Sequence, residues 1–276
     1  MMTQMYDKEL VARHFSRAAN HYHQHDALQQ YCATQLLAAL PDQQPDQKPD
    51  QQPAQHSELV VDVGCGPASQ YQQLARHGRR YIGVDIAAGM LHQAQQRYPT
   101  AEQPWRRWLQ ADAEQLPLAD DSVELVVANL SLQWCNDMTS AVAECVRVLK
   151  PGATALIALV LDGSLVELRQ AWQGIDQQPH QNRFVSAAKV EQLLQQLQRH
   201  YPQLRWQGQQ QRYCQQFSQV RQLLMSIKGV GASYTAGRQS GLLTPRRLRE
   251  LEQAWPQDAQ QCYPLSWCLG FWKLTR

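Results

Sequence analysis

Val60-Val61-Asp62-Val63-Gly64-Cys65-Gly66-Pro67-Ala68-Ser69 is an apolar run broken by two glycines, and a second apolar run downstream closes on Asp85. The pattern predicts a strand, a tight turn, a helix and a second strand ending in a carboxylate. Glycine lets the backbone turn sharply and approach a ligand, and an acid at the tip of the next strand accepts both hydroxyls of a ribose. The expected ligand therefore carries a nucleoside. A dinucleotide fingerprint would need a third glycine to seat a pyrophosphate on the helix N-terminus, whereas Pro67-Ala68 follow Gly66 here. The shorter pattern suits a ligand without phosphates; a plain chain turn is the competing reading of these residues alone.

Downstream residues bear on that choice. Asp112-Ala113 falls where a third strand should end, and a carboxylate there accepts a hydrogen from the exocyclic amine of a base. Val123 to Ala128 is apolar and ends at Asn129; Gln133-Trp134 follow, then a helix from about Met138 and another strand after Pro151-Gly152. Alternating strand and helix patterns argue for a parallel sheet that binds ligands at the carboxyl ends of its strands.

With 276 residues the chain is long enough for one sizeable α/β domain with appended elements. A net charge of +2 points to no nucleic acid or other polyanion, although residues 205–276 hold ten Lys or Arg against three acids. No run of about 18 apolar residues and no signal-peptide layout is present, so the expected location is the cytoplasm, without a membrane partner. Seven cysteines without C-x-x-C pairs fit reduced thiols. His21, His23 and His25 lack an accompanying carboxylate or cysteine pattern, so no metal is expected.

Three blocks are expected: an N-terminal helical lid over 1–40, a flexible Pro/Asp/Gln-rich linker over 41–57, and a main domain over 58–276 with a lid insertion at about 163–200. Within the last block, helices are expected at 165–175, 187–197, 220–228 and 245–255, and a strand at 204–217. Leu265 to Leu274 should form an edge or inserted strand.

With Gly64, Gly66, Asp85 and Asp112 in this order, the chain resembles the class I S-adenosylmethionine-dependent methyltransferases. That resemblance implies an α/β Rossmann-like fold, with a mainly parallel seven-stranded sheet, helices on both faces and helical lid elements. It narrows with Phe15-Ser16-Arg17-Ala18-Ala19-Asn20-His21-Tyr22, Gly163 to Leu168, Ala171-Trp172, Pro179 to Phe184, Lys228 to Ala232 and Tyr263-Pro264-Leu265. Those segments are similar to the malonyl-[acyl-carrier protein] O-methyltransferase family of biotin synthesis. The chain departs from the family pattern at Ala68, where a third glycine is usual, and in the length of the 41–57 segment.

The resemblance implies methyl transfer from S-adenosylmethionine to the free carboxylate of malonyl-acyl-carrier protein, with malonyl-CoA an alternative thioester. A carboxylate is ionised at neutral pH, so no general base is expected. Asp62, Gly64, Gly66, Asp85, Asp112 and Asn129 are the expected cofactor residues, with Ile86 and Ala113 flanking adenosine. Tyr22 is expected to close over the sulfonium and Arg183 to orient the malonyl carboxylate; ordinary packing and a surface ion pair are their competing readings. Arg238, Arg246, Arg247 and Arg249 are candidates to meet an acidic carrier protein, against a plain solvated helix face. A methyltransferase for a small free acid or quinone precursor, a non-catalytic S-adenosylmethionine-binding module, and an NAD dehydrogenase remain as alternatives.

Overall fold

A computed structural model describes residues 5–40, 58–77, 80–101, 103, 105–176, 178–232 and 243–276. The expected 41–57 linker and Arg238 lie outside the described residues. Seven strands form one sheet in the order β3-β2-β1-β4-β5-β7-β6. These are β1 (Leu59–Val63), β2 (Arg80–Asp85), β3 (Arg106–Gln110), β4 (Val123–Asn129), β5 (Leu149–Val160), β6 (Arg205–Phe217) and β7 (Tyr263–Thr275). The first five are mutually parallel, and β7 is inserted antiparallel between β5 and β6. Of the two expectations for the last apolar stretch, insertion is the one realised.

Alternation along the buried strands divides the core between two faces. Val60, Leu125, Val127, Leu156 and Ala158 pack on one side with α2 (Ala27–Leu37), α6 (Val166–Gln173), α8 (Val220–Gly229) and α9 (Pro245–Ala254). Val61, Val63, Val126, Ala128, Ala155 and Ile157 pack on the other with α5 (Met138–Val148) and α7 (Ala187–His200). Both helices framing the 163–200 segment are therefore core layers. So is α2, which commits Leu28, Cys32 and Leu36 to the interior. α1 (Lys8–Ala18) and the 3₁₀ turn Ala19–Gln24 pack with Ala87 and Met90 in a separate small apolar cluster, and the loop between α6 and α7 sends Ile175 and Phe184 to the first face and Val185 to the second.

The segment after β1 differs from the expected strand-turn-helix. Gly64, Gly66 and Ala68 all take left-handed φ, at 75°, 55° and 59°, and the helix that follows, α3 (Tyr71–Leu74), is a single turn. The left-handed conformation costs an alanine about 1–2 kcal/mol, partly offset by burying its methyl, worth about 0.8 kcal/mol. Ala68 is fully buried in the core, so the turn keeps its shape without a third glycine. A four-residue helix has little macrodipole to offer a pyrophosphate, which argues against a dinucleotide here. Among the described residues no helix is long and apolar enough to cross a membrane.

Candidate active site

Four parallel strands deliver their carboxyl ends to one crevice at the point where the sheet order reverses between β1 and β4. The turn after β1 is fastened to β2: the Gly64 and Cys65 N–H groups both donate to the Val84 carbonyl, at 2.7 and 3.0 Å. Asp85, at the tip of β2, accepts from the Gly66 N–H at 2.9 Å with one oxygen and from the Ala87 N–H at 2.8 Å with the other. Each oxygen keeps a second lone pair for a ligand. Gly64, Gly66, Asp85, Ile86, Asp112, Ala113, Asn129 and Tyr22 all line this cleft.

Asp62, expected among them, lies beneath the turn instead and does not line the cleft. Strand alternation turns its side chain into the sheet face, where it accepts from the Tyr81 hydroxyl at 2.8 Å. Burial pushes its carboxyl up to about 7; the neighbouring Asp85 charge adds to this and the Tyr81 hydroxyl opposes it. Burial pushes Asp85 up to about 6 against the Ala87 and Gly66 N–H groups. Both shifts are upward from 3.8, so protons favour the folded state of the empty protein. That contribution is complete below about pH 4 and is lost as pH rises through about 6 and 7. Urea unfolding of the ligand-free protein is expected to show a falling midpoint between pH 5 and 8; a midpoint that rises across this window would contradict the burial of the two acids.

Asn129 ends β4 with its Nδ2 donating to the Gln29 carbonyl at 2.9 Å, which fixes the amide orientation. Its buried Oδ1 then has no hydrogen-bond partner among the described residues. A buried acceptor of this kind, beside the spare lone pairs of Asp85, suits a ligand rich in donors, such as a ribose diol with an ammonium group nearby.

The N-terminal segment covers the cleft. Lys8 bonds Asp112 and reaches Glu114 at 2.7 Å, so Asp112, expected to hold a base, faces a lysine as well. Burial works to lower the Lys8 ammonium, and the two carboxylates outweigh it and hold it above its usual range. The Tyr6 backbone exchanges two hydrogen bonds with the Asn136 side chain, and Phe15 sets its ring edge-on to Trp134 at 5.3 Å. Tyr22 faces the glycine turn closely enough that a Cβ on Gly66 would lie 3.9 Å from its ring. Burial first, then Asp26, Asp85 and Asp62, keep its hydroxyl neutral.

Phe15, Tyr22, Leu130 and Trp134 line both the cleft and a larger cavity of about 900 Å³. That chamber contains His14, His25, His180 and Lys228, with the amides of Gln29, Gln133, Gln181 and Asn182, and no Asp or Glu among its described lining residues. Burial, then Arg17 and Arg13, lower His14. Of the Lys228 to Ala232 segment, Lys228, Val230 and Ala232 line the chamber. Arg183 is exposed and does not line it, while its neighbours His180, Gln181, Asn182 and Phe184 do.

Sequence reasoning missed Ser131 and Lys8. Ser131 lines the cleft and braces the turn through Oγ–H donated to the Val63 carbonyl at 2.6 Å. A polar residue just past an apolar strand was its only signal. Lys8 meets its partners across about a hundred residues of chain, and nothing local announces that.

Residues 61–157 match the family described as "Methyltransferase domain". The malonyl-[acyl-carrier protein] O-methyltransferase of Enterobacter lignolyticus is 35% identical over 271 residues, covering 98% of each chain. The biotin biosynthesis bifunctional protein BioHC of Cellvibrio japonicus is 35% identical over 91% of this chain and 47% of its own length. Among solved structures, the YcgJ protein of Bacillus subtilis superposes with a TM-score of 0.54 at 19% identity, over 79% of this chain and 92% of that one, which reflects a shared fold.

Proposed function

This chain belongs to the malonyl-[acyl-carrier protein] O-methyltransferases, and from that membership we propose that it methylates the free carboxylate of a malonyl group carried as a thioester on acyl-carrier protein. The methyl ester so formed belongs to biotin synthesis, the process named for the bifunctional relative. The observation that carries the reading is the chamber that shares a wall with the nucleoside cleft and has no acid among its described lining residues: a negatively charged acceptor there meets no like charge from them. An NAD dehydrogenase is disfavoured by the missing dinucleotide turn and the one-turn helix.

S-adenosylmethionine, the cofactor, supplies an electrophilic methyl group on a positively charged sulfur, together with the ribose diol and ammonium that the cleft's acceptors suit. We assign the diol to Asp85, the ammonium to the Asn129 Oδ1, and the base to Asp112 with Ile86 and Ala113 beside it. Asp62, whose carboxylate is held by the Tyr81 hydroxyl and does not line the cleft, is given no direct ligand contact. Tyr22, Phe15 and Trp134 exclude water at the junction, and the neutral Tyr22 hydroxyl adds no competing charge. The acceptor oxygen is ionised before it enters, so the chain has only to align it, at about 3–3.5 Å and in line with the breaking bond. No proton has to be removed. We assign the lid role to α1, the 19–24 turn and the 174–186 loop. All seven cysteines are free thiols, which fits action in the reducing cytoplasm.

Malonyl-acyl-carrier protein is expected to be methylated faster than malonyl-CoA or free malonate when all three are offered with the same labelled cofactor. Equal or better turnover of free malonate would replace the reading with a small-acid methyltransferase. For the carrier itself, α9 offers Arg246, its side chain 85% exposed and paired with Glu250, and the exposed Arg249. Replacing both by Gln is expected to slow the carrier-bound substrate about 3–10-fold at low salt and leave malonyl-CoA unchanged. Equal slowing of both substrates would remove α9 from the docking surface.

A further inference from the structure

The acceptor carboxylate has to be held beside the methyl group, and the cationic or protonatable groups around the chamber are poorly placed to do it. Arg183 is exposed and does not line the chamber, and Lys228 lines it but is exposed. Burial and two arginines drive His14 towards its neutral form. His25 is packed so tightly on α8 that a Cβ on Gly229 would come within 1.9 Å of its ring. His180 engages Asp176 through Nε2 at 2.6 Å, and its Nδ1 is buried. A cation would also grip the acceptor hard, drawing on the lone pairs that must attack the methyl carbon. A neutral donor suits the reaction better.

Gln29 is such a donor. It stands in the first turn of α2, a helix anchored in the core by Leu28, Cys32 and Leu36. The residue belongs to both spaces: Gln29 lines the chamber, while its carbonyl accepts from the Nδ2 of Asn129, which lines the cleft, at 2.9 Å. It is therefore one hydrogen bond away from the side chain assigned to the cofactor's ammonium, close to the end of the cofactor that carries the methyl group. Among the described residues nothing holds its amide: Oε1 is buried without a partner, and Nε2 has none either. The terminal torsion of a glutamine is broad, so the group can turn its NH₂ to an acid. The Gln133 Nε2, by contrast, is already donated to the Leu130 carbonyl at 2.9 Å, and Gln181 stands on the loop between α6 and α7 rather than on a core helix.

We propose that the Gln29 amide binds and orients the free carboxylate of the acyl substrate, an assignment that rests on the acyl-methylation reading above. One N–H on one carboxylate oxygen leaves the other oxygen with its lone pairs for the methyl group, and the contact adds no charge. Gln29 also separates the acid from its own product, because the methyl ester is neutral and a weaker partner for the amide.

The test compares those two ligands on the full-length enzyme. Gln29→Glu changes charge at nearly constant shape, and an acid in the first turn of a helix suits its dipole. Binding is read by calorimetry with S-adenosylhomocysteine, the demethylated cofactor, present so that no turnover occurs. Gln29→Glu is expected to weaken malonyl-acyl-carrier protein about 100-fold or more, since a carboxylate then meets a carboxylate. Gln29→Leu, which removes the donor and adds no charge, should weaken it about 10-fold or more, and carries the test if the Glu variant fails to fold. In both variants the carrier-bound methyl ester and S-adenosylmethionine should stay within about 3-fold of wild type, because the carbonyl that holds Asn129 belongs to the main chain. Acid and ester weakening together would mark Gln29 as merely structural, and S-adenosylmethionine weakening as far as the acid would mean that it acts through Asn129. No change in any of the three would remove it from the site; each of these results overturns the proposal. Wild-type enzyme that leaves malonyl-acyl-carrier protein unmethylated would sink the functional reading itself, a failure visible before any variant is made.

Discussion

Replacing Asp85 by Ala is expected to weaken S-adenosylmethionine binding by about 3 kcal/mol or more, on the order of a hundredfold in Kd. A ribose contact by itself would predict less. The structure adds that the same carboxylate holds the Gly66 and Ala87 N–H groups, so its removal frees the glycine turn as well as the sugar. Asp85→Asn should fall between: its one carbonyl oxygen can accept from one of the two N–H groups, and its NH₂ must then face the other. Wild-type affinity should also fall with acid. Burial has raised Asp85 to about 6 in the empty cleft, and the diol needs the carboxylate form, so binding below that pH requires a proton to leave. Calorimetry from pH 5 to 8 should show Kd increasing towards the acid end, approaching tenfold per pH unit, and Asp85→Asn should flatten the profile. Unchanged affinity in Asp85→Ala would mean that the ligand binds elsewhere.

The same residue shows what the sequence could and could not reveal. Asp85 and Asn129 were legible because each ends a short apolar run, and Asp112 because it falls where the next strand should end; in a parallel sheet such ends gather at one edge. Asp62 was misjudged by the same logic. It lies inside the run, and only the alternation of a strand buried on both faces, with Tyr81 on the neighbouring strand, sends it beneath the turn. The insertion of β7 between β5 and β6 was open for a similar reason: the apolar pattern of Leu265 to Leu274 says that the strand is buried on both sides, but not by which neighbours.

The lid was the least legible part. Residues 7–40 and 163–200 show helical periodicity, and periodicity reports that a helix has an apolar face, not what the face meets. In the structure α2, α6 and α7 spend those faces on the sheet. The N-terminal elements over the cleft are held by contacts between distant residues, polar ones from Lys8 to Asp112 and Glu114 and from Tyr6 to Asn136, and apolar ones from Tyr6 and Phe15 to Trp134, and no local pattern announces such pairs.

Gly64→Ala is expected to be strongly destabilising. A Cβ at that position would lie 2.2 Å from the Ser131 Cβ, on a backbone whose φ is 75°. Overpacking of this kind costs about 1–3 kcal/mol and the left-handed conformation about 1–2 more, together a large share of a typical domain's stability. The turn cannot retreat, because the Gly64 and Cys65 N–H groups are tied to the Val84 carbonyl. Nor can Ser131 swing away, since the closest clash is with its Cβ, which no rotation about χ1 moves, and not with its hydroxyl alone. The two causes separate in a double-mutant cycle read by urea unfolding. Ser131→Ala should give no relief to Gly64→Ala because it keeps the Cβ. Ser131→Gly should recover the packing part and leave the φ part, a coupling of about 1–3 kcal/mol. Recovery by Ser131→Ala would assign the damage to the hydrogen bond from Ser131 to Val63 instead. A Gly64→Ala protein that unfolds like wild type and binds S-adenosylmethionine normally would show that the turn and the β4 tip do not meet as described, and the geometry assigned to the cleft would fall with it.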